Sequence, residues 1–232
     1  MSVVVLFDID GTLITTGGVG RQAIELAFEA LYGRRDACSH FTFDGMTDRA
    51  IARLGLTALG IEPTVAEIDR LIAAYVGHLE RTVAAAPDAS YRVHAGMHDA
   101  IALCERHGFA AGLGTGNIRE GARLKLARFG LFDRLPFGGF GDDHEERHLL
   151  LAAGKRRGAE RLGRRFEDTH VVVIGDSPRD VSAALAIGAV CIGVGTGSSS
   201  AAKLKGLGAI DAFDDLSAPG ALDALLAACR RG

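Results

Sequence analysis

Two carboxylates, Asp8 and Asp10, close an unbroken apolar run in the stretch VVVLFDIDGTL. A carboxylate taken out of water without a counter-charge is costly, so the pair either lies at an exposed turn or holds something positive. A strand continuing through both would point their side chains to one face, and Gly11 permits a sharp turn after them. That arrangement suits a divalent cation. A calcium loop also begins D-x-D, but it needs an acceptor at its fifth position, glycine at its sixth and glutamate at its twelfth. Those positions hold Thr12, Leu13 and Val19, so the calcium reading fails.

Two further stretches carry matching chemistry. After the apolar run at 109–113 comes GTGN, where Thr115 offers a hydroxyl and the backbone N–H groups around Gly116 and Asn117 can face an anion at the start of a helix. After the run at 171–174 comes GDSPRD, which places Asp176 and Asp180 at and just beyond another strand end. Four carboxylates, one hydroxyl and a glycine-rich nest would then meet at one sheet edge. Alone the carboxylates repel one another; with Mg²⁺ and a phosphoryl group the charges balance.

The elements that must position these groups follow from the apolar pattern. Runs at 3–7, 109–113, 171–174 and 190–194 lack alternation, as strands buried on both faces do. Each leads through a glycine-containing turn into helical periodicity, which predicts an α/β fold with a doubly wound parallel sheet. Ligands in such sheets gather at the C-terminal strand ends. Residues 15–92 break this rhythm with three helical patterns. The first carries Ala23, Ile24, Ala27, Phe28 and Leu31, the second Ile51, Leu54 and Leu59, and the third runs from Ile68 to Leu79, with Thr64 and Glu67 as a capping box. The expected organisation is a core domain from 1–14 and 93–232, with an all-helical domain inserted at 15–92 and a return linker over 87–92.

Composition narrows the partners. The 232 residues carry 26 Lys and Arg against 29 Asp and Glu, a formal charge of −3, so no basic footprint for nucleic acid exists. An anionic substrate needs a local positive site. The four cysteines have neither metal-ligand spacing nor a C-x-x-C pair and read as buried thiols in a reducing compartment. The apolar stretch before Asp8 is too short for a signal peptide or a spanning helix. The expectation is a soluble cytoplasmic protein, monomer or homodimer, acting on a small phosphorylated metabolite without a nucleic-acid or membrane partner.

Taken together, DIDGTL, LGTGN and VVVIGDSPRD resemble, in order, the first, second and fourth motifs of the haloacid dehalogenase superfamily, over essentially the whole chain. The helical insertion after the first motif is similar to the cap of the subgroup containing phosphoglycolate phosphatases and β-phosphoglucomutases. The resemblance implies a Rossmann-like core with a helical cap, and Asp8 as the nucleophile that becomes a transient aspartyl phosphate. It implies that Asp10 protonates the leaving oxygen and then activates water. Mg²⁺ would be held by Asp8, the backbone carbonyl of Asp10 and Asp176, with Asp180 in support. Thr115, Gly116 and Asn117 would bind phosphoryl oxygens. A Mg²⁺-dependent phosphatase follows from the resemblance, with a phosphoglycolate-like substrate expected. The alternatives are a sugar-phosphate mutase and a non-catalytic phospho-switch.

The third motif departs from the family. A Lys is usual upstream of the carboxylate corresponding to Asp176, but position 151 is Leu. Arg147 and Lys155 are the basic candidates, and Arg147, near a helix start and so nearer the active edge, is favoured as catalytic and phosphate-binding. In the insert, FDGMTDRAI resembles a segment near the leaving group in related phosphatases, which makes Thr47 and Arg49 candidate specificity residues. No histidine shows ligand spacing, and GGVG at 17–20 reads as a hinge or helix entry.

Overall fold

The computed structural model describes residues 2–231. Its strands are β1 (Val3–Phe7), β2 (Ile14–Thr15), β3 (Arg92–Val93), β4 (Ala110–Gly114), β5 (Gly138–Gly139), β6 (His170–Gly175), β7 (Val190–Val194) and β8 (Asp211–Phe213). The helices are α1 (Val19–Tyr32), α2 (Asp48–Ala58), α3 (Val65–Ala85), α4 (Met97–His107) and α5 (Arg119–Leu126), then α6 (Leu131–Arg134), α7 (Arg147–Arg161), α8 (Pro178–Ala186), α9 (Ala201–Gly206) and α10 (Ala221–Cys229).

Six strands form a sheet in the order β5-β4-β1-β6-β7-β8, every pair parallel. The chain moves from β1 outward to β4 and β5, then returns to β6 on the other side. The order therefore reverses beside β1, which places the binding crevice at the C-terminal ends of β1, β4 and β6. The unbroken apolar character of β1 has a two-sided cause. Val3, Val5 and Phe7 join the core on the α4 and α10 face, whereas Val4 and Leu6 pack with Leu150 and Leu151 of α7 and Val181 of α8. All four cysteines are buried and free. No helix among the described residues is long and apolar enough to cross a membrane.

Between β2 and β3 lie the three helices read from the sequence. The two strands pair antiparallel, Ile14 with Val93 and Thr15 with Arg92, so the chain leaves for the helical unit and returns from it side by side. Three details differ from expectation. Leu54, expected on the apolar face of the second helix, is exposed, and that face runs instead through Ile51, Ala52, Gly55 and Leu56. Leu59 lies just past the end of α2. At α3 only half of the expected capping box forms: Thr64 accepts from the Glu67 amide at 3.2 Å, while the Glu67 carboxylate accepts from the Tyr32 hydroxyl and Arg70. The competing partner is the phenol, which ties α3 to α1.

The helices meet at close range where Gly55 of α2 faces the fully buried Phe28 ring of α1, leaving no room for a Cβ. Gly55→Ala is expected to push that ring aside and cost about 1–3 kcal/mol, as overpacking does. Urea unfolding should show a lowered midpoint at unchanged slope; an unaltered midpoint would contradict the contact.

Candidate active site

The turn after β1 delivers both opening carboxylates. Asp8 continues the strand, its amide bonded to the Ile174 carbonyl at 3.0 Å. Gly11, at φ 81°, then turns the chain so that the Gly11 amide bonds the Ile14 carbonyl and the Ile14 amide bonds the Ile9 carbonyl. A side chain at Gly11 would also strike the Asp176 carboxylate. The two aspartates do not share surroundings: Asp8 is almost wholly buried, while the Asp10 side chain is 44% exposed.

Asp8, Asp176 and Asp180 form a tight acidic group, each offering an oxygen within 4.8 Å of the others. Asp180 sits in the first turn of α8, where the Ser177 amide and hydroxyl donate to its Oδ2 at 3.0 and 2.7 Å while Ser177 caps the helix. Thr12 donates to Asp176 Oδ1 at 2.7 Å. Burial pushes the Asp8 carboxyl up to about 6, against the pull of Arg147 and with the repulsion of Asp180 and Asp10. Burial, Asp180 and Asp8 together push Asp176 up to about 8. Hard, crowded carboxylate oxygens, two of them on groups whose proton affinity is raised by burial and neighbouring charge, suit a small divalent cation. The Asp10 carboxylate is not among them; its bonds lie elsewhere.

Arg147, the first residue of α7, holds this group together. Its Nε donates to Asp180 Oδ1 at 2.7 Å, and its Nη2 lies 2.8 Å from Asp8 Oδ1. Burial alone would lower the guanidinium's proton affinity, but Asp180 and Asp8 outweigh it and raise it further. Lys155, two turns along, places its ammonium 4.3 Å from the Phe166 ring centre, away from the cavity. Of the two third-motif candidates, only Arg147 reaches the site.

The second motif behaves differently from its sequence reading in one respect. Thr115 is fully buried at the end of β4 and accepts from the Asn117 side chain at 2.9 Å and from its amide at 3.3 Å. The next two amides are already taken by carboxylates of the chain: Ile118 donates to Asp48 Oδ2 at 2.9 Å and Arg119 donates to Asp142. The Gly116 carbonyl accepts from the Asp48 amide at 2.9 Å, and a Cβ at Gly116 would collide with the Met46 backbone. Glycine is required there because the segment leading into α2 docks against it. Fewer amides are thus left for a ligand, and the Asn117 side chain donates to Asp10 at the cavity wall.

A cavity of about 400 Å³ joins these groups, lined from the sheet side by Asp8, Asp10, Thr115, Asn117, Arg147 and Asp176. From the helical side it is lined by Arg21, Phe43, Met46, Asp48, Ile51 and Tyr75. Neither candidate specificity residue is among them. Thr47 caps α2, accepting from the Ala50 amide at 3.2 Å, and donates to the Glu145 carbonyl. Arg49 pairs with Asp69 of α3 at 2.7 Å. Adjacent helical residues point about 100° apart, so Asp48 facing the sheet turns Arg49 away from it.

Sequence reasoning missed Lys125 and Asp48. Lys125 is buried in the last turn of α5, its ammonium 2.7 Å from Asp10 Oδ2 and 2.6 Å from Asn117 Oδ1. Burial opposes its charge, but Asp10 and Asp48 outweigh burial and hold the ammonium above its usual range. Burial pushes Asp48 up to about 6, with Lys125 opposing. The signal in the sequence is the place of Lys125 between Leu124 and Leu126, one turn after Gly121 and Ala122, on the buried side of α5.

With this geometry, the comparisons with known proteins agree. The profile of the haloacid dehalogenase-like hydrolases matches residues 3–188, and the chain belongs to that family of enzymes. Among curated proteins none matches the sequence. A predicted phosphatase from Clostridium acetobutylicum is similar in structure at a TM-score of 0.69 and 17% identity, covering 98% of this chain and 99% of that one. CbbY from Rhodobacter sphaeroides, solved in complex with phosphate, gives a TM-score of 0.69 at 20% identity over 96% of this chain and 100% of its own. A predicted phosphoglycolate phosphatase from Haemophilus somnus gives 0.66 at 16% identity over 98% and 97%. At these identities the likeness shows the fold.

The acidic group sets a pH dependence in metal-free buffer. Both carboxyls are raised from an ordinary 3.8, so above that value the folded chain binds more protons than the unfolded one and stability falls as pH rises. The loss runs through about 6 for Asp8 and about 8 for Asp176. With chelator present, the thermal midpoint should drop from about pH 5 to about pH 9, and Asp176→Asn should flatten the drop. A midpoint that rises over this range would contradict the account.

Proposed function

We propose that this hydrolase is a Mg²⁺-dependent phosphatase of small organic phosphomonoesters that works through an aspartyl phosphate on Asp8. The observation that carries the reading is the meeting of Asp8, Asp176 and Arg147 in one cavity at the strand-order reversal, with Asp180 buried behind them and paired to Arg147. Asp8 and Asp176, with Asp180 behind them and the Asp10 backbone carbonyl, would hold Mg²⁺, which offsets phosphoryl charge when bound.

The residues of the chain divide the remaining work. An Asp8 oxygen attacks phosphorus as the ester P–O bond breaks, and Asp10 gives a proton to the departing alkoxide. Asp10 then takes a proton from water, which attacks the same phosphorus and frees Asp8. Arg147 and Thr115 hold the nonbridging oxygens, where charge is greatest in a loose transition state. The unit between β2 and β3 acts as a cap, with the core over 1–14 and 93–232 and the cap over 15–92. The paired strands serve as its hinge, and closure excludes bulk water.

The substrate's leaving group meets the cap wall. A phosphoglycolate-like substrate would need a cation there for its carboxylate, and Arg49, expected in that role, is spent on Asp69. Arg21 lines the cavity but lies 3.8 Å over the Phe43 ring and donates to the Cys38 and Phe41 carbonyls. A sugar-phosphate mutase must hold a second phosphoryl group at that wall, so the same shortage favours hydrolysis over transfer between sugar positions.

Purified protein with Mg²⁺ should release phosphate from a panel of alkyl, sugar and aryl monoesters, and Asp8→Asn should lower kcat by at least about a thousandfold, as loss of a nucleophile does. Mg²⁺ should raise the thermal midpoint of the wild type and not of Asp176→Asn. Release that survives in Asp8→Asn, or a β-hexose 1-phosphate isomerised without free phosphate, would overturn the reading.

A further inference from the structure

The triangle formed by Asp10, Asn117 and Lys125 has a feature that an ordinary ion pair lacks. Both donors converge on one oxygen: Lys125 Nζ reaches Asp10 Oδ2 at 2.7 Å and Asn117 Nδ2 reaches the same atom at 2.8 Å. Lys125 also donates to Asn117 Oδ1 at 2.6 Å, which closes the triangle and fixes which way the amide faces. Among the described residues, Asp10 Oδ1 accepts no hydrogen bond, and Asp10 lines the cavity. The carboxylate is thus gripped at one oxygen and open at the other.

Position explains why a grip is needed. Asp10 lies beyond β1 on the turn made by Gly11, with its side chain 44% exposed, so nothing in the strand fixes its rotamer. Lys125 is 4% exposed and cannot swing out to solvent. Above it runs α1, where a Cβ on Gly20 would come within 3.1 Å of the ammonium. Below, the Tyr91 hydroxyl donates to the Lys125 backbone carbonyl. A long, flexible side chain is thus buried, with its backbone held by Tyr91 and its charge directed at a single carboxylate oxygen. A pair that served stability alone would gain little from a partner left half in water, since exposed ion pairs are worth little.

We propose that Lys125 is a positioning residue for proton transfer to the leaving oxygen, locking Asp10 Oδ2 so that Oδ1 faces the scissile ester. The inference rests on Asp10 being the acid of the proposed reaction. When the ester P–O bond breaks, its electron pair goes to the departing oxygen, which takes the proton from Asp10; Lys125 keeps its own protons throughout. Asn117 serves the same lock and links it to Thr115, so one helix start orients both the phosphoryl group and the acid.

The test is a series of aryl phosphates of nearly equal size, from para-nitrophenyl phosphate to phenyl phosphate, in which the need for a proton at the leaving oxygen rises. In kcat/KM, Lys125→Met should lose at least about tenfold more on phenyl phosphate than on para-nitrophenyl phosphate, within the range that general-acid catalysis supplies. The double variant Asp10→Asn with Lys125→Met should be no slower than Asp10→Asn alone, because the two act as a unit. A loss equal across the series, or losses that add, would assign Lys125 a purely structural role and overturn the inference. If circular dichroism shows Lys125→Met unfolded, Lys125→Gln, which keeps a donor and drops the charge, goes through the same series with the same two readings. Wild type inactive on every ester would instead sink the phosphatase reading beneath it.

Discussion

Repulsion among like charges at the heads of β1 and β6 is the constraint that the rest of the structure answers. Asp8, Asp176 and Asp180 are buried within reach of one another, and burial together with the neighbouring carboxylates makes the ionised forms of Asp8 and Asp176 costlier. A fold under no functional demand would replace such a group with apolar residues at little cost or some gain in stability. Here Arg147 is buried to face two of the carboxylates, Ser177 and Asp180 close a reciprocal helix cap, and Thr12 bonds a third carboxylate. The charge that remains is what a divalent cation and a phosphoryl group would complete.

The same constraint shapes the contact between the sheet and the inserted helices. The segment entering α2 docks where Gly116 leaves room, and Asp48 bonds the amide of Ile118 while its own amide bonds Gly116. Arg147 donates to the Gly45 carbonyl, Arg179 to that of Asp44, and Arg53 makes a two-bond pair with Glu145. Each bond joins the helical unit to a residue within a few positions of a site group. Cap position and site geometry are therefore linked by short polar contacts, of the kind that can break together when a lid opens.

The sequence carries the parts of this design that repeat along the chain. Strands β1, β4, β6 and β7 are legible because both faces are covered and alternation disappears, and α1 and α3 because their apolar faces recur at helical spacing; α2 is legible as a helix, but its buried face holds Ala52, Gly55 and Leu56 in place of Leu54 and Leu59. The short edge strands are not: β5 is two glycines and β8 is Asp-Ala-Phe, neither of which holds a pattern. Asp8, Asp176 and Arg147 could be placed because each sits at a strand end or helix start facing the crevice. Arg49 could not, because a single helical step separates a residue facing the site from one facing away. Lys125 is harder to read: Leu124 and Leu126 flank it and buried Gly121 and Ala122 precede it by one turn, which marks the position as inward, but its partner Asp10 comes only from the tertiary approach of α5 to the turn after β1.

The proposed chemistry turns on Asp8 accepting the phosphoryl group. Peptide mass spectrometry of enzyme quenched in acid during turnover of para-nitrophenyl phosphate tests it most directly. A phosphoryl mass on the peptide spanning the β1 turn, localised to Asp8 and lost when turnover is allowed to finish, is the predicted result. Turnover with no phosphorylated enzyme under conditions that preserve acyl phosphates, or with the group on another residue, would contradict it.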